Sequence, residues 1–163
     1  MAGKFDRVCE SVIGESTRDY KSEFGQHGYT VPEWVLELVN RGALRDTSWS
    51  NDAMPTFETT EDTGLRLWVD HRYQKEREFP EYNGRFTITT DEDETTEYNG
   101  DDPVETVQAL LQSDYDEGRA SSPGAYYVRV KGGDKRSWSP TFQSEAGAQR
   151  WIDELPKRMS REV

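Results

Sequence analysis

Residues 86–118, which we call the acidic segment, limit how this chain can fold more than any other part of the sequence. The segment contains eleven Asp and Glu side chains and no Lys or Arg. Residues 1–85 sum to −5 and residues 119–163 to +4, so the three regions together give the formal net charge of −12. Because an unpaired carboxylate is very costly to bury, one side of this segment must face water or a positively charged surface.

The acidic segment nevertheless has the periodicity of folded structure. Apolar residues alternate from Phe86, residues 91–94 suit a turn, and residues 95–98 return as a second strand before an amphipathic helix. The chain repeats this plan over residues 125–156, where two strands joined at a glycine turn precede another helix. Two consecutive ββα units are therefore predicted.

Two of the predicted helices carry N-terminal signals. Thr30 is the predicted N-cap of one helix, and Glu33 completes a capping box three residues later. Asp102 is the predicted N-cap of the helix in the acidic segment, with Pro103 at its first position and Glu105 closing the box. Part of the acidity thus has a structural explanation, because carboxylates are stabilised near the positive end of a helix dipole.

The remaining patterns complete an α+β prediction. Residues 1–45 are helical in character, and residues 55–71 read as a hairpin with Trp68 on the face opposite Leu67. Residues 55–113 thus hold hairpins and the acidic ββα unit. We predict a single α+β domain over residues 1–163, with a mainly antiparallel sheet of about six strands and about four helices.

Cysteine content and hydropathy indicate a reducing, aqueous compartment. Cys9 is the only cysteine, so no internal disulfide can form, and it lies on the apolar stripe of a predicted first helix. The first residues lack the apolar core of a signal peptide, and no apolar run has the length of a membrane span. A cytoplasmic protein is therefore expected.

Catalytic and metal-binding motifs are not prominent. The sequence contains no G-x-S-x-G, H-E-x-x-H or P-loop motif, and its two histidines are isolated. Residues 91–102 have the length of an EF-hand loop, but Thr96 replaces the required glycine and Asp102 the usual glutamate. We predict a non-enzymatic protein without a cofactor; a carboxylate-based or metal-dependent enzyme is the less favoured alternative.

The acidity predicts a positively charged protein partner. Nucleic acids and anionic membranes would be repelled, so neither is expected to bind directly. A hairpin about 20 Å long that carried all eleven charges would approach the ~1.7 Å per charge of duplex DNA. Tyr98, Tyr115, Trp49 and Trp68 are the candidate aromatic contacts. The candidate partner-binding carboxylates are Asp91, Asp93, Glu94, Glu97, Asp101, Asp114, Asp116 and Glu117.

In size, charge and lack of catalytic motifs, the chain resembles the small acidic proteins with which phages and mobile elements block restriction and CRISPR effectors. That resemblance implies a DNA mimic that occupies the basic channel of a nucleic-acid-binding protein or complex. The competing interpretation is a small accessory or structural protein whose acidity only gives solubility. The oligomeric state stays open.

The 125–156 unit is similar to the ββα modules with which integrase arm-binding domains contact DNA. That similarity implies a basic sheet facing DNA, whereas a solvated hairpin is the favoured interpretation because the acidic segment beside it would repel DNA. The residues that carry the similarity are Arg129, Lys131, Lys135, Arg136, Trp138, Ser144 and Glu145.

Overall fold

The computed structural model describes residues 19–59, 64–90, 94–119, 124–131 and 138–163. The predicted first helix with Cys9, the candidate residues Asp91 and Asp93, and the glycine turn at 132–133 lie outside these ranges. Lys135 and Arg136 lie outside them as well.

Five strands form an antiparallel sheet in which neighbours in the chain are neighbours in space. Phe57 of the second strand lies opposite Leu67 of the third, which lies opposite Ile88 of the fourth, so these three side chains share one face. All three are fully buried. This confirms the predicted alternation. The strands are β1 (Leu44–Asp46), β2 (Thr56–Thr59), β3 (Leu65–Val69), β4 (Phe86–Thr90) and β5 (Thr96–Gly100).

The opposite side of this sheet, which we call the outer face, is polar. Both carboxylate oxygens of Glu58 accept from arginines on neighbouring strands, with Arg45 Nη2 at 3.2 Å and Arg66 Nη2 at 2.5 Å. Trp68 is half-buried on this face, and its indole Nε1 donates to Thr89 Oγ1 at 3.0 Å. The side chains between the strands are therefore tied together by hydrogen bonds on a face that also carries a large aromatic ring.

Four helices and a two-stranded sheet complete the described structure. The second sheet pairs β6 (Leu111–Tyr115) with β7 (Tyr126–Val130). The helices are α1 (Tyr20–Phe24), α2 (Glu33–Asn40), α3 (Pro103–Leu110) and α4 (Glu145–Arg158), with short 3₁₀ turns at Gly25–His27, Gln74–Glu76 and Glu117–Arg119. Among the described helices none has the length and apolar character needed to cross a membrane.

One apolar core joins both sheets to the helices. Trp34 of α2 packs on Phe86 of β4, with ring centroids 5.5 Å apart. Val107 of α3, Val128 of β7 and Ile152 of α4 are fully buried in the same cluster. The predicted α+β fold is therefore confirmed as a single domain, in which the second sheet packs against α4.

The predicted start of α2 is wrong. Thr30 does not cap the helix, because its hydroxyl donates to Glu162 Oε1 at 3.0 Å and the N-cap position is taken by Pro32. Backbone carbonyls from the end of the chain replace the side-chain cap. Glu33 N donates to Arg161 O at 2.6 Å, and Trp34 N donates to Met159 O at 3.0 Å. The free N–H groups of a helix start are thus satisfied by a segment distant in sequence.

The boundaries of the second half also differ from prediction. Leu111, predicted on a helix stripe, is extended (φ −121°, ψ 154°) and begins β6 directly after α3. Within the described residues 138–143 the predicted strand is only an isolated bridge, formed by Phe142 with Tyr126. Ser144 caps α4 as predicted, accepting from Gly147 N at 3.1 Å, but the helix continues past Pro156 to Arg158.

A buried ion pair fixes the larger sheet to the end of the chain. The Arg85 guanidinium bonds both carboxylate oxygens of Glu162, at 2.9 Å and 2.6 Å, and also donates to Thr30 O at 3.0 Å. The two side chains are only 8% and 15% exposed. Burial alone would raise the pKa of Glu162, but the hydrogen bonds and charge of Arg85 outweigh that effect and lower it.

Replacing Glu162 with Gln is expected to lower the free energy of unfolding by about 3 kcal/mol, because it leaves a buried guanidinium without its counter-charge. Since the folded-state pKa of Glu162 lies below its ordinary value of 4.5, the contribution is complete above pH 4.5 and is lost as pH falls through the folded-state value. Urea denaturation at pH 7 and pH 4 measures both effects. A pH-independent difference between the two proteins would contradict this account. The exposed Glu81→Gln, outside the helices, serves as the matched control.

Close backbone approach fixes the residue type at Gly84. A Cβ at this position would lie 2.5 Å from the backbone of Gly100 on β5, whereas a Cβ on Gly25 would meet no atom within 4 Å. We expect Gly84→Ala to cost about 1–3 kcal/mol through overpacking, and Gly25→Ala to change stability by less than about 1 kcal/mol. Thermal denaturation of both variants measures the two changes in stability. Equal effects would show that the close approach of Gly84 to Gly100 does not determine the residue type at position 84.

Candidate functional site

The acidic segment is divided between the two sheets. Its first group of carboxylates lies on the β4–β5 hairpin and at the end of β5, and its second group lies at the end of β6. The expectation of a single charged hairpin with the charge spacing of DNA is therefore wrong, because α3, β6 and their flanking residues carry five of the eleven acids. Within the described residues, the first group comprises Glu94, Glu97 and Asp101, and the second comprises Asp114, Asp116 and Glu117.

The second group forms an open cleft of about 430 Å³. Four of the residues predicted from sequence to bind a partner line it together, which sequence adjacency alone did not ensure. We call it the acidic cleft. Its lining consists of Asp114, Tyr115, Asp116, Glu117, Gly118 and Tyr127.

The pairing of β6 with β7 builds the acidic cleft. Tyr115 lies opposite Tyr126, with ring centroids 5.0 Å apart at an angle of 59°, and is 38% exposed. Beyond the strand, Asp116 N donates to Ala125 O at 2.8 Å, and Asp116 Oδ1 accepts from Gly118 N at 3.0 Å. The second contact is a local Asx-type bond that turns the chain, and it places consecutive carboxylates around the tyrosine.

The carboxylates of the acidic cleft differ in their surroundings. Asp114 Oδ2 lies 2.9 Å from Arg129 Nε on β7, which is an ion pair within the small sheet. Its charge therefore has a structural partner that the sequence did not reveal, and the charge of Arg129 is paired within the small sheet. Glu117 is exposed and forms no ion pair with any residue that the structure describes. Glu117 is therefore a charge, just beyond the end of β6, that no described ion pair balances.

Asp101, in the first group, has a structural role. Its Oδ1 accepts from Arg77 Nη1 at 3.0 Å and from Arg85 N at 2.6 Å. The Arg77 side chain is 3% exposed and also donates to the carbonyls of His71 and Asn83. Asp101 therefore provides the counter-charge of a buried arginine that organises the connection between β3 and β4.

Tyr98 faces the helices, because it lies opposite the buried Ile88. Its hydroxyl lies 3.3 Å from both Asp102 O and Glu105 Oε1, at the start of α3. Burial, together with the charge of Glu105, raises the pKa of Tyr98, although hydrogen bonds to Thr106 and Asp102 oppose this. Asp102 caps α3 as predicted, accepting from Val104 N at 2.9 Å. Glu105 contacts Tyr98 in place of closing a capping box.

The two candidate tryptophans lie apart from the acidic cleft. Trp49 is 45% exposed in the loop between β1 and β2. Trp68 lines a second, smaller cleft of about 210 Å³ on the outer face, which we call the Trp68 cleft. Glu94, whose backbone has a positive φ of 55°, is its acidic contribution from the β4–β5 turn. Its lining consists of Met54, Trp68, Asp70, Asn83, Thr87, Thr89 and Glu94.

Seven lining residues of the two clefts were not among the residues predicted from sequence, and Asp70 and Tyr127 bring the most distinctive chemistry. Asp70 follows Trp68 by two positions, and the period of a strand places such residues on one face, so this signal was present in the sequence. Tyr127 lies opposite Asp114, and finding it required the β6–β7 pairing, which was not predicted. Within the described ranges, no three His, Cys, Asp or Glu side chains are arranged to hold a metal ion.

Comparison with known proteins supplies no relative. No protein-family model matches the chain, and neither a curated protein nor a solved structure shows significant similarity to it.

The structural role of Asp101 predicts a difference between two carboxylates of one hairpin. We expect Asp101→Ala to lower the free energy of unfolding by about 1–3 kcal/mol, because Arg77 and the Arg85 N–H lose their acceptor. Glu97→Ala, which removes the same charge from an exposed position on β5, should change it by less than about 0.5 kcal/mol. Chemical denaturation measures both. Equal effects would mean that Asp101 is a surface charge only.

Proposed function

We propose that this protein is a non-enzymatic binding protein that engages a basic site on a partner protein through the acidic cleft. The observation that supports the proposal is the convergence of Asp114, Tyr115, Asp116 and Glu117 on one open concave surface. Carboxylates around a concave surface attract and orient positively charged partners. A partly exposed tyrosine among them supplies the kind of aromatic contact that dominates many interfaces.

The concrete form of this proposal is an inhibitor from a phage or mobile element that acts by charge mimicry. Such a protein would place its carboxylates where a host defence complex, of the restriction or CRISPR kind, binds phosphates. The formal net charge of −12 supports this version, since a strongly negative protein is attracted to a basic nucleic-acid channel. In this version the acidic cleft is the contact, and Glu97 and Glu94 are outlying charges.

The alternative, an accessory protein whose acidity only confers solubility, has its own support in the structure. Asp101 and Asp114 form ion pairs with arginines of the same chain. Two of the candidate partner-binding carboxylates therefore already have a structural role. The alternatives differ in whether the position of a charge matters. Solubility depends on total charge, whereas binding by the acidic cleft depends on Asp116 and Glu117 in particular.

Removing both charges in Asp116→Asn/Glu117→Gln is expected to weaken binding to a basic partner at least tenfold, or by about 1.4 kcal/mol or more. Biolayer interferometry against guide-loaded CRISPR effectors and restriction endonucleases measures this, with duplex DNA as the competitor. Binding by the unaltered protein should fall with added salt, because the interaction is electrostatic, and DNA should displace it.

The matched control is Glu76→Gln/Glu81→Gln, which removes the same two charges from exposed positions outside both clefts. An equal loss of binding in this control would show that total charge, and not the acidic cleft, is responsible. Failure of DNA to compete would overturn the mimicry version while leaving a basic protein partner in place.

A further inference from the structure

The Trp68 cleft has the lining of a cation-binding site. It combines an indole ring, two carboxylates, two threonine hydroxyls and an asparagine amide, and the lining contributed by described residues includes no Lys or Arg. Oxygen acceptors beside an aromatic face are the complement of a cation that carries N–H donors. The acidic cleft, by contrast, has a larger volume and lies on the other sheet.

Asp70 is the strongest single feature of this lining. Only 3% of the residue is exposed, and the one hydrogen bond to its carboxylate within the described chain is from its neighbour His71 N to Oδ1 at 2.7 Å. No Lys or Arg of the described residues forms an ion pair with it. A carboxylate this deeply placed normally has a counter-charge, because burying an unpaired charge is costly.

The surroundings of Trp68 already accommodate one guanidinium. The Arg66 guanidinium carbon lies 5.5 Å from the centroid of the Trp68 ring, and Glu58 accepts from Arg66 at 2.5 Å. Trp68 Nε1 is occupied by its bond to Thr89, so the indole is fixed in orientation. The hydrogen bond thus fixes the ring through its edge, and the π surface is the part of the ring that contacts a cation, as it does with Arg66.

Size selects among possible ligands. A volume of about 210 Å³ lies below the range of about 300–1,000 Å³ typical of pockets for drug-sized molecules. It suits the end of one side chain. A guanidinium stacks on aromatic rings and presents a planar fork of donors that matches a carboxylate, whereas an ammonium is a compact and strongly hydrated point charge.

We infer that the Trp68 cleft binds a guanidinium group, with Asp70 as its counter-charge, Trp68 as its stacking surface and Glu94 at its rim. This inference deepens the proposed function and rests on it in one respect, namely that the guanidinium is supplied by an arginine of the basic partner. The cleft would then add a specific contact to the general attraction exerted by the acidic cleft.

Titration with N-acetyl-arginine amide, followed by ¹H–¹⁵N NMR at the Trp68 indole resonance, tests the inference on the full chain. We expect saturable shifts at Trp68 and at the Thr87 and Thr89 amides. The isosteric neutral analogue, N-acetyl-citrulline amide, should bind at least tenfold more weakly, and the lysine analogue should also bind more weakly. Equal binding of the arginine and citrulline compounds would overturn the site.

Asp70→Asn should reduce the affinity for N-acetyl-arginine amide at least tenfold, and the control Glu154→Gln, on α4, should leave it unchanged. Because Asp70 is buried, its replacement can disturb folding, and two variants elsewhere in the cleft are therefore also tested. Glu94→Gln at the rim and Trp68→Leu at the ring are each expected to weaken binding several-fold. Undiminished binding in a folded Asp70→Asn protein, or in both other variants, contradicts the inference.

Two further comparisons are needed. The first distinguishes a partner side chain from a small molecule as the source of the guanidinium, and the second distinguishes failure of this inference from failure of the proposed function. Free arginine carries an α-ammonium and an α-carboxylate that an arginine side chain within a protein lacks. Tighter binding of free arginine than of the amide would therefore indicate a small-molecule ligand and overturn the role of a partner side chain. Asp116→Asn/Glu117→Gln should leave arginine-amide binding intact. The proposed function can thus fail at the acidic cleft while the Trp68 cleft still binds, and the reverse outcome is equally distinguishable.

Discussion

The bidentate contact between Arg85 and Glu162 is the interaction on which the rest of this structure depends. It joins the start of β4 to the last residues of the chain and to the loop before α2. The same final residues supply the carbonyls that satisfy the first N–H groups of α2. Without this contact, the helix whose Trp34 packs on Phe86 would lose its cap, and the loop that carries Thr30 would lose its anchor. A buried pair of this kind is strongly destabilising to break, even where it contributes little relative to an apolar replacement.

Arginines determine how much of the acidity is left for a partner. Arg77 and Arg129 take up Asp101 and Asp114, both from outside the acidic segment. The charge that looked unbalanced along the sequence is therefore partly balanced in space. Glu97 lies on β5, the last strand in the order of the larger sheet, where charged side chains discourage pairing with the edges of other sheets. The acids thus divide among internal pairing, protection of an edge and the acidic cleft.

Local signals predicted the elements well and their boundaries less well. The alternation around Leu67 and Ile88 and the caps at Asp102 and Ser144 depend on neighbouring residues, so the sequence displays them directly. β1 is only three residues long, too short for periodicity to indicate a strand. The cap of α2 comes from residues more than a hundred positions away, which no local pattern can encode.

The candidate site also combines features that neighbouring residues reveal with features that depend on contacts distant in sequence. The four acidic-cleft residues near position 115 are contiguous in the chain and were all identified from sequence. Their separation from Glu94 and Glu97 depends on how β6 pairs with β7, a long-range contact. The partnership of Asp70 with Trp68 was available from strand period, but a buried carboxylate becomes conspicuous only when its burial is known.

The junction between α3 and β6 has a consequence for protein engineering. Leu110 ends the helix and Leu111 begins the strand, so no loop separates them that could absorb an insertion or a splice. Any chimera that exchanges the β4–β5 hairpin together with α3 must therefore carry the start of β6 with it. A graft that is to reproduce the acidic cleft must also supply β7, because the pairing of β6 with β7 builds that cleft.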